Sequence, residues 1–294
     1  MTNSTELERV LSLLDVEEID RDLYRARNPE HPPSLYGGQV AAQALRAAAA
    51  TVDADRAVHS AHGYFLRAGV SHRPTVLIVH RDRDGRSYSH RRVEAIQDGE
   101  VIFSLSSSFH VPEVGPEMEA PLERTRMWDF DELVPAGIGQ GNPNHLDVFE
   151  LRVAKLMPHA LTPPGLGRCP SNFWVRPKGV VGDDPVVNAC MLMFMSDMGS
   201  AFAELDLPNQ PFGGGPTLDH SVWFHRPAKV DQWLLLQLDP LVATGGRGLY
   251  HGGLFDESGV RVASLTQEIV VRETDPRHLQ RVAAEWEQWR LRTS

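Results

Sequence analysis

The chain has 294 residues, enough for one large or two medium domains. Hydrophobic residues make up 41% and charged residues 23%, a balance that can bury a sizeable core. A formal net charge of −10 argues against a nucleic-acid partner, which needs a basic surface, but leaves room for a small anionic ligand held by a few local arginines.

In chain order, residues 5–14 read as a helix and residues 23–27 as a short strand. Tyr36-Gly37-Gly38 is a turn leading into an Ala-rich helix over 38–52. Four strands follow at 58–66, 75–82, 87–97 and 100–110, the last two joined by Asp98-Gly99, a tight-hairpin pair. The Pro- and Gly-rich stretch 112–170 reads as a connection holding one strand-like segment, 147–154. Then the order repeats. A strand over 173–176 precedes a helix over 186–205, with Pro185 in its first turn. Strands at 217–225, 233–243, 247–256 and 261–272 complete the half, with a Ser258-Gly259 turn before the last. A terminal helix is expected over 276–292.

Residues align as well as elements. Phe65-Leu66-Arg67 matches Phe224-His225-Arg226, Gly85-Arg86 matches Gly246-Arg247, and Ser104–Ser107 matches Ser264–Gln267. An offset near ~160 residues signals domain duplication rather than a short repeat. Each half is one helix followed by an antiparallel sheet, and an apolar sheet face needs a cover. The first helix is mostly small residues and the second is apolar all round, so both suit burial inside a curved sheet. The expected fold is α+β: two tandem hotdog folds fused as a double hotdog. The expected divisions are 1–113, a linker 114–170, and 171–294 with the terminal helix.

Within the second helix, Met191-Leu192-Met193-Phe194-Met195-Ser196-Asp197-Met198-Gly199 places a carboxylate in apolar surroundings. Burying it is costly unless it is paired or used, and burial raises its proton affinity as a general base requires. A satisfied structural Asp is an equal alternative from this stretch alone.

Several motifs in order resemble the acyl-CoA thioesterase II family. They are Leu35–Val40, Val58–Arg67, Asp84–Val93, Thr217–Pro227 (TLDHSVWFHRP) and Ala263–Glu268. The resemblance spans about residues 7 to 272 and is weakest across the linker. It implies hydrolysis of acyl-CoA to free CoA and a fatty acid. It further implies a catalytic trio of Asp197, Thr217 and Gln267, no cofactor or metal, and a homo-oligomer, dimer or tetramer. Ile269 departs from the Gly common in relatives. The residue types fit the chemistry: a carboxylate to accept a water's proton, a hydroxyl and an amide to orient that water. Backbone N–H groups near Gly37-Gly38 or the second helix's start are candidates for stabilising the oxyanion. In the repeat alignment Gln267 falls on Ser107 and Asp197 near Gln39, so one working site per chain is expected.

Gly38, Gln39, His59, His62, Arg86 and Arg91 are candidate substrate contacts, the histidines through a motif expected to face the centre and the arginines through guanidinium–phosphate geometry. Adjacent residues on a strand point to opposite faces, so Asp219-His220-Ser221 is not expected to form a triad. Gly213-Gly214-Gly215 reads as a flexible turn letting Thr217 reach the site. The methionines at 191, 193, 195 and 198 read as core packing, with some lining an acyl tunnel. Neither the thirteen histidines nor Cys169 and Cys190 show metal-ligand spacing or a disulfide framework. The termini carry no signal-peptide or peroxisomal pattern, and the most apolar window, 186–203, includes Asn188, Asp197 and Gly199. A cytoplasmic chain without membrane insertion is therefore expected. Competing readings are a non-catalytic acyl-CoA sensor and a hotdog enoyl-CoA hydratase. The sensor would need a partner domain, and the hydratase relies on an Asp–His motif absent here.

Overall fold

The computed structural model describes residues 3–29, 34–120, 133–135, 148–154, 171–198 and 212–273. Helix α1 (Asn3–Leu14) buries Leu7, Val10 and Leu14, a stripe at helical spacing. Strands β1 (Glu17–Asp20) and β2 (Leu23–Ala26) form a hairpin. Helix α2 (Gly37–Ala49) has five alanines with no exposed surface, Ala41, Ala42, Ala44, Ala47 and Ala48. Such short side chains let the sheet approach the helix closely. Strands β3 (Ala57–Phe65), β4 (Thr75–Asp84), β5 (Tyr88–Gln97) and β6 (Glu100–His110) then wrap it. Asp98 and Gly99 both have positive φ, 51° and 80°, as a tight hairpin turn demands.

The second half follows the same plan. Strands β7 (Leu133–Pro135) and β8 (Phe149–Ala154) lead to β9 (Ser171–Pro177) and helix α3 (Pro185–Ser196). Asp184 caps α3, its carboxylate accepting from the backbone N–H groups of Val186 and Val187, with Pro185 in the first turn. Strands β10 (Phe212–Phe224), β11 (Leu234–Thr244), β12 (Arg247–Phe255) and β13 (Arg261–Glu273) complete it.

The thirteen strands among the described residues join one sheet in the order β1-β2-β4-β5-β6-β3-β10-β13-β12-β11-β9-β8-β7. Read outward from the β3–β10 seam, the two halves mirror each other, which is the duplication seen as topology. The seam is antiparallel, pairing Ala61 with Val222 and Gly63 with His220. Along β3, Ala61 and Gly63 are buried, as are His220 and Val222 on β10, so these residues face inward onto the helices. The helices touch each other there. Tyr36 Oη donates to the Phe194 carbonyl at 2.8 Å, and the two rings meet edge-on at 4.9 Å. This is the double hotdog anticipated from the sequence.

Four details differ from expectation. Strands β1 and β7 lack a sequence signal strong enough to find, being short and at the sheet's two ends. Strands β7 and β8, from the connecting stretch, extend the second half's sheet rather than merely linking. Gly213-Gly214-Gly215 is not a flexible turn: it lies inside β10, paired with β13, because glycine tolerates extended backbone and the ladder supplies its hydrogen bonds. Helix α3 ends at Ser196, short of the expected 186–205, so Asp197 closes the helix rather than lying within it; residues 199–205, the expected helix over 276–292 and Cys169 lie outside the described residues.

Replacing the α3 cap, Asp184→Ala, is expected to cost about 1 kcal/mol of stability, read as a lower urea midpoint at unchanged slope.

Candidate active site

Three inward-facing positions converge where the helices meet. Asp197 is the C-terminal cap of α3 and only 6% exposed; Gln267, on β13, has no exposed surface; Thr217 is partly buried on β10. The Gln267 amide nitrogen donates to Asp197 Oδ1 at 2.6 Å and to Thr217 Oγ1 at 2.8 Å. The Thr217 oxygen accepts that amide hydrogen with one of its two lone pairs, and its own hydrogen goes to the Asp197 carboxylate. The ladder between β10 and β13 shifts register on both sides of Thr217, between Gly214 and Thr217 and between Thr217 and Asp219. Such irregularities re-aim a side chain. They turn Thr217 toward the carboxylate.

A carboxylate at a helix C-terminus faces the wrong end of that helix's dipole. Asp197 is compensated from outside: the backbone N–H of Gly38, in the first turn of α2, also donates to it. The carboxylate therefore bridges the C-terminal end of one central helix and the N-terminal end of the other. The approach needs glycines. A Cβ at Gly37 would lie 2.7 Å from Asp197 Oδ2, and one at Gly38 would lie 2.5 Å from the Phe194 carbonyl. Burial is the dominant influence on the carboxyl, pushing its pKa up to about 7; the hydrogen bonds from Gln267, Gly38 and Thr217 pull the other way. Near neutral pH the group can both accept and return a proton. Burial, and then the Asp197 charge, raise the Tyr36 hydroxyl well above its usual range, so it stays a neutral donor.

The remaining candidates separate. Gly38 is at the site, but its N–H serves Asp197, so it is not available to an oxyanion. Gln39 is buried and donates to Asn28 Oδ1 at 2.9 Å, tying α2 to the segment after β2. Arg91 is 1% exposed, and its five N–H groups go to Thr51 Oγ1 and O, Asp84 Oδ1 and the carbonyls of Arg83 and His90. None is left for a phosphate, so Arg91 is a structural clamp rather than a substrate contact. Arg86 is exposed at the β4–β5 turn. The Arg91 clamp ties that turn to Thr51, just past the C-terminal end of α2, whose 13 residues span roughly 20 Å from Gly38.

His59 and His62 face away from the trio. His62 alternates with the inward Ala61 and Gly63 and packs its ring on Trp223, itself 39% exposed. His59 is the residue at a register shift in β3, between Val58 and Ser60, and bonds Ser108 Oγ at 2.8 Å beside the rings of Tyr88 and His110. Both have lowered pKa values, first through burial. The motif they share runs through the seam, but strand alternation puts these two on the outer surface. Asp219 and Ser221 likewise lie opposite the inward His220. Cys190 is buried with its thiol pushed up to about 12, which rules it out as a thiolate nucleophile. Met191, Met193, Met195 and Met198 are all buried in the core. Among the described residues no group of three or more His, Cys, Asp or Glu could hold a metal.

The first half does not repeat the trio. Gln39 is bonded to Asn28, and the Ser107 hydroxyl donates to the Arg91 carbonyl at 3.3 Å. Tyr36 and Phe65 were missed as site residues. The Phe65 ring lies 3.0 Å from where a Gly37 Cβ would be. Both flank motifs visible in the sequence, but only the helix–helix contact shows that they wall the carboxylate.

Two domain models match: the acyl-CoA thioesterase N-terminal domain over residues 27–110 and the acyl-CoA thioesterase C-terminal domain over residues 116–271. The chain belongs to the acyl-CoA thioesterase family. Acyl-coenzyme A thioesterase 8 of Rattus norvegicus is 34% identical over 284 residues, covering 90% of this chain and 88% of its own. The crystal structure of an acyl-CoA thioesterase II, TesB2, from Mycobacterium marinum is 34% identical with a TM-score of 0.75, covering 90% of this chain and 99% of the other. A hot dog fold protein from Alicyclobacillus acidocaldarius, 18% identical, superposes with a TM-score of 0.72 over 91% of this chain and 99% of the other, which bears on the fold alone.

Gly38→Ala is expected to push α2 away from Phe194 and Asp197, lowering the melting temperature and the turnover together; equal melting and turnover would show that the helix ends can separate without consequence.

Proposed function

We propose that this chain is an acyl-CoA thioesterase that hydrolyses fatty acyl-CoA at the Asp197, Thr217 and Gln267 site. The observation that carries the reading is the Gln267 amide bridging a buried carboxylate and a hydroxyl within 2.8 Å. Asp197 accepts a proton from water as the oxygen attacks the thioester carbon. The water gives its other hydrogen to the Thr217 oxygen, which Gln267 holds in place, so its free lone pair points at the thioester carbon, the kind of orientation that removes several kcal/mol from a barrier. The tetrahedral oxyanion then collapses and expels the CoA thiolate, which takes up the proton held by Asp197. Thiolate is a good leaving group, so the sequence of steps closes without a covalent enzyme intermediate.

Supporting one site per chain, the first half's Gln39 and Ser107 are bound up in other interactions. The first half contributes Tyr36, Gly37, Gly38 and Phe65 to the walls. His59, His62 and Arg86 are retained as CoA contacts only in an assembly where the outer sheet face and the β4–β5 turn border the substrate. We further place the protein in the cytoplasm, in fatty acid metabolism, as a homo-oligomer, dimer or tetramer. Among the described residues the sheet ends at β1 and β7, and open sheet edges of this kind support self-association. No described helix is long and apolar enough to cross a membrane.

Incubation with a panel of acyl-CoAs and a thiol-reactive dye is the test. Free CoA is expected from the wild type, and Asp197→Ala is expected to lower turnover by about 10²–10⁴-fold while still folding, with a lowered melting temperature because its three donors lose their acceptor. No CoA release from any chain length would overturn the activity, and undiminished release by the variant would overturn the site.

The pH dependence has a definite sign. Asp197 works ionised, and its carboxyl is raised, so activity is lost as pH falls through the raised value. The acid limb of kcat/KM should have its midpoint near 7 rather than near the ordinary carboxylate value of about 4.

A further inference from the structure

Behind the trio lies a second polar pair. His220 and Ser196 have no exposed surface, and His220 Nε2 is 2.7 Å from Ser196 Oγ. Ser196 is the residue before Asp197 and the last of α3. His220 is the register partner of Gln267 across the β10–β13 ladder, and both side chains face inward. Directly opposed residues on one sheet face have Cβ atoms about 4.5–5.5 Å apart. The imidazole thus touches the end of the helix that carries the carboxylate and neighbours the glutamine that holds it.

Two buried polar atoms here have no protein hydrogen-bond partner among the described residues: His220 Nδ1 and Gln267 Oε1. A buried acceptor without a donor is costly. The Gln267 amide must keep its nitrogen toward Asp197 and Thr217, which leaves Oε1 needing a donor. The Ser196 hydroxyl has one hydrogen and two neighbours, the Met193 carbonyl at 2.9 Å and His220 Nε2. If that hydrogen goes to Met193, the imidazole hydrogen sits on Nε2 and both orphans are acceptors. If it goes to Nε2, the imidazole carries Nδ1–H, the one donor this pair can offer to Oε1. Burial holds the imidazole pKa down to about 4, so the ring is neutral and has a single N–H to place.

We propose that His220 is a positioning residue of the hydrolytic site, a neutral Nδ1–H imidazole that accepts from Ser196 and donates through one bridging water to Gln267 Oε1, so fixing which way the Gln267 amide points. This rests on the trio reading above. A flipped Gln267 would turn its oxygen toward Asp197 and Thr217, removing a donor from the carboxylate and misplacing the water. His220 therefore acts on the reaction through Gln267, and on Asp197 through the helix end, without contacting substrate.

His220→Leu keeps the bulk and removes both nitrogens. It is expected to lower kcat by about 100-fold with little change in KM, since misplacement by a fraction of an ångström is enough. It should also move the acid limb of kcat/KM upward, because the Gln267 bond that lowers the Asp197 pKa is weakened. His220→Asn, with a polar group near the Nδ1 position, should recover part of kcat and return the midpoint toward wild type. Ser196→Ala, the smallest change, should lower kcat by about 3–10-fold and shift the midpoint in the same direction. It carries the test if His220→Leu does not fold. Long-range nitrogen–proton spectra of the wild type should show His220 protonated on Nδ1. An Nδ1-bare imidazole overturns the proposal, as does a folded His220→Leu or Ser196→Ala with wild-type kcat, or with a reduced kcat and an unmoved midpoint. Gln267→Ala and Asp197→Ala are the controls. If they too keep turnover, it is the trio reading that falls; if they lose it while the His220 variants do not, only His220 is reassigned.

Discussion

The structure turns on one carboxylate held between the ends of two helices. Asp197 closes α3, where the dipole disfavours negative charge, and meets the first turn of α2, where a backbone N–H favours it. Neither half alone can make this arrangement. The second half supplies the carboxylate and its side-chain donors, the first supplies the opposing helix end. That gives the duplicated fold a chemical reason to stay fused, with its two sheets continuous across the β3–β10 seam.

Close approach follows from that constraint. The helix ends can meet only because Gly37 and Gly38 have no Cβ where Asp197 and Phe194 sit. Tyr36 then locks the contact, its hydroxyl on the Phe194 carbonyl and its ring against the Phe194 ring. The surroundings are apolar, with Phe194, Met195 and Met198 buried alongside. Desolvation raises the carboxyl, and the three donors keep it from rising out of the useful range. A base that is half ionised near neutrality is the balance of those opposing influences.

The strands contribute by irregularity as much as by regularity. Thr217 lies between two register shifts, and without them it would follow the alternation of β10 rather than its own direction. The Gly-rich stretch before it is part of the ladder, so the hydroxyl is placed by a rigid strand and not by a flexible loop. The Arg91 clamp shows the same economy elsewhere: a guanidinium that resembles a phosphate ligand in sequence is fully satisfied by Thr51, Asp84 and two carbonyls.

Periodicity, turn residues and composition are local properties, and they suffice to reveal the duplication, the order of helix and strands in each half, the Asp98-Gly99 turn and a carboxylate out of place in an apolar stretch. Motif resemblance drew Thr217 and Gln267 to that carboxylate without any geometry. It takes the folded chain to show that His59 and His62 lie on the outer face, that Gln39 and Arg91 are held by structural hydrogen bonds, and that Gly38, Tyr36 and His220 surround the site. Those outcomes depend on strand register and on how two helix ends meet, and a one-residue shift in register exchanges the faces of a strand while leaving its composition and pattern unchanged.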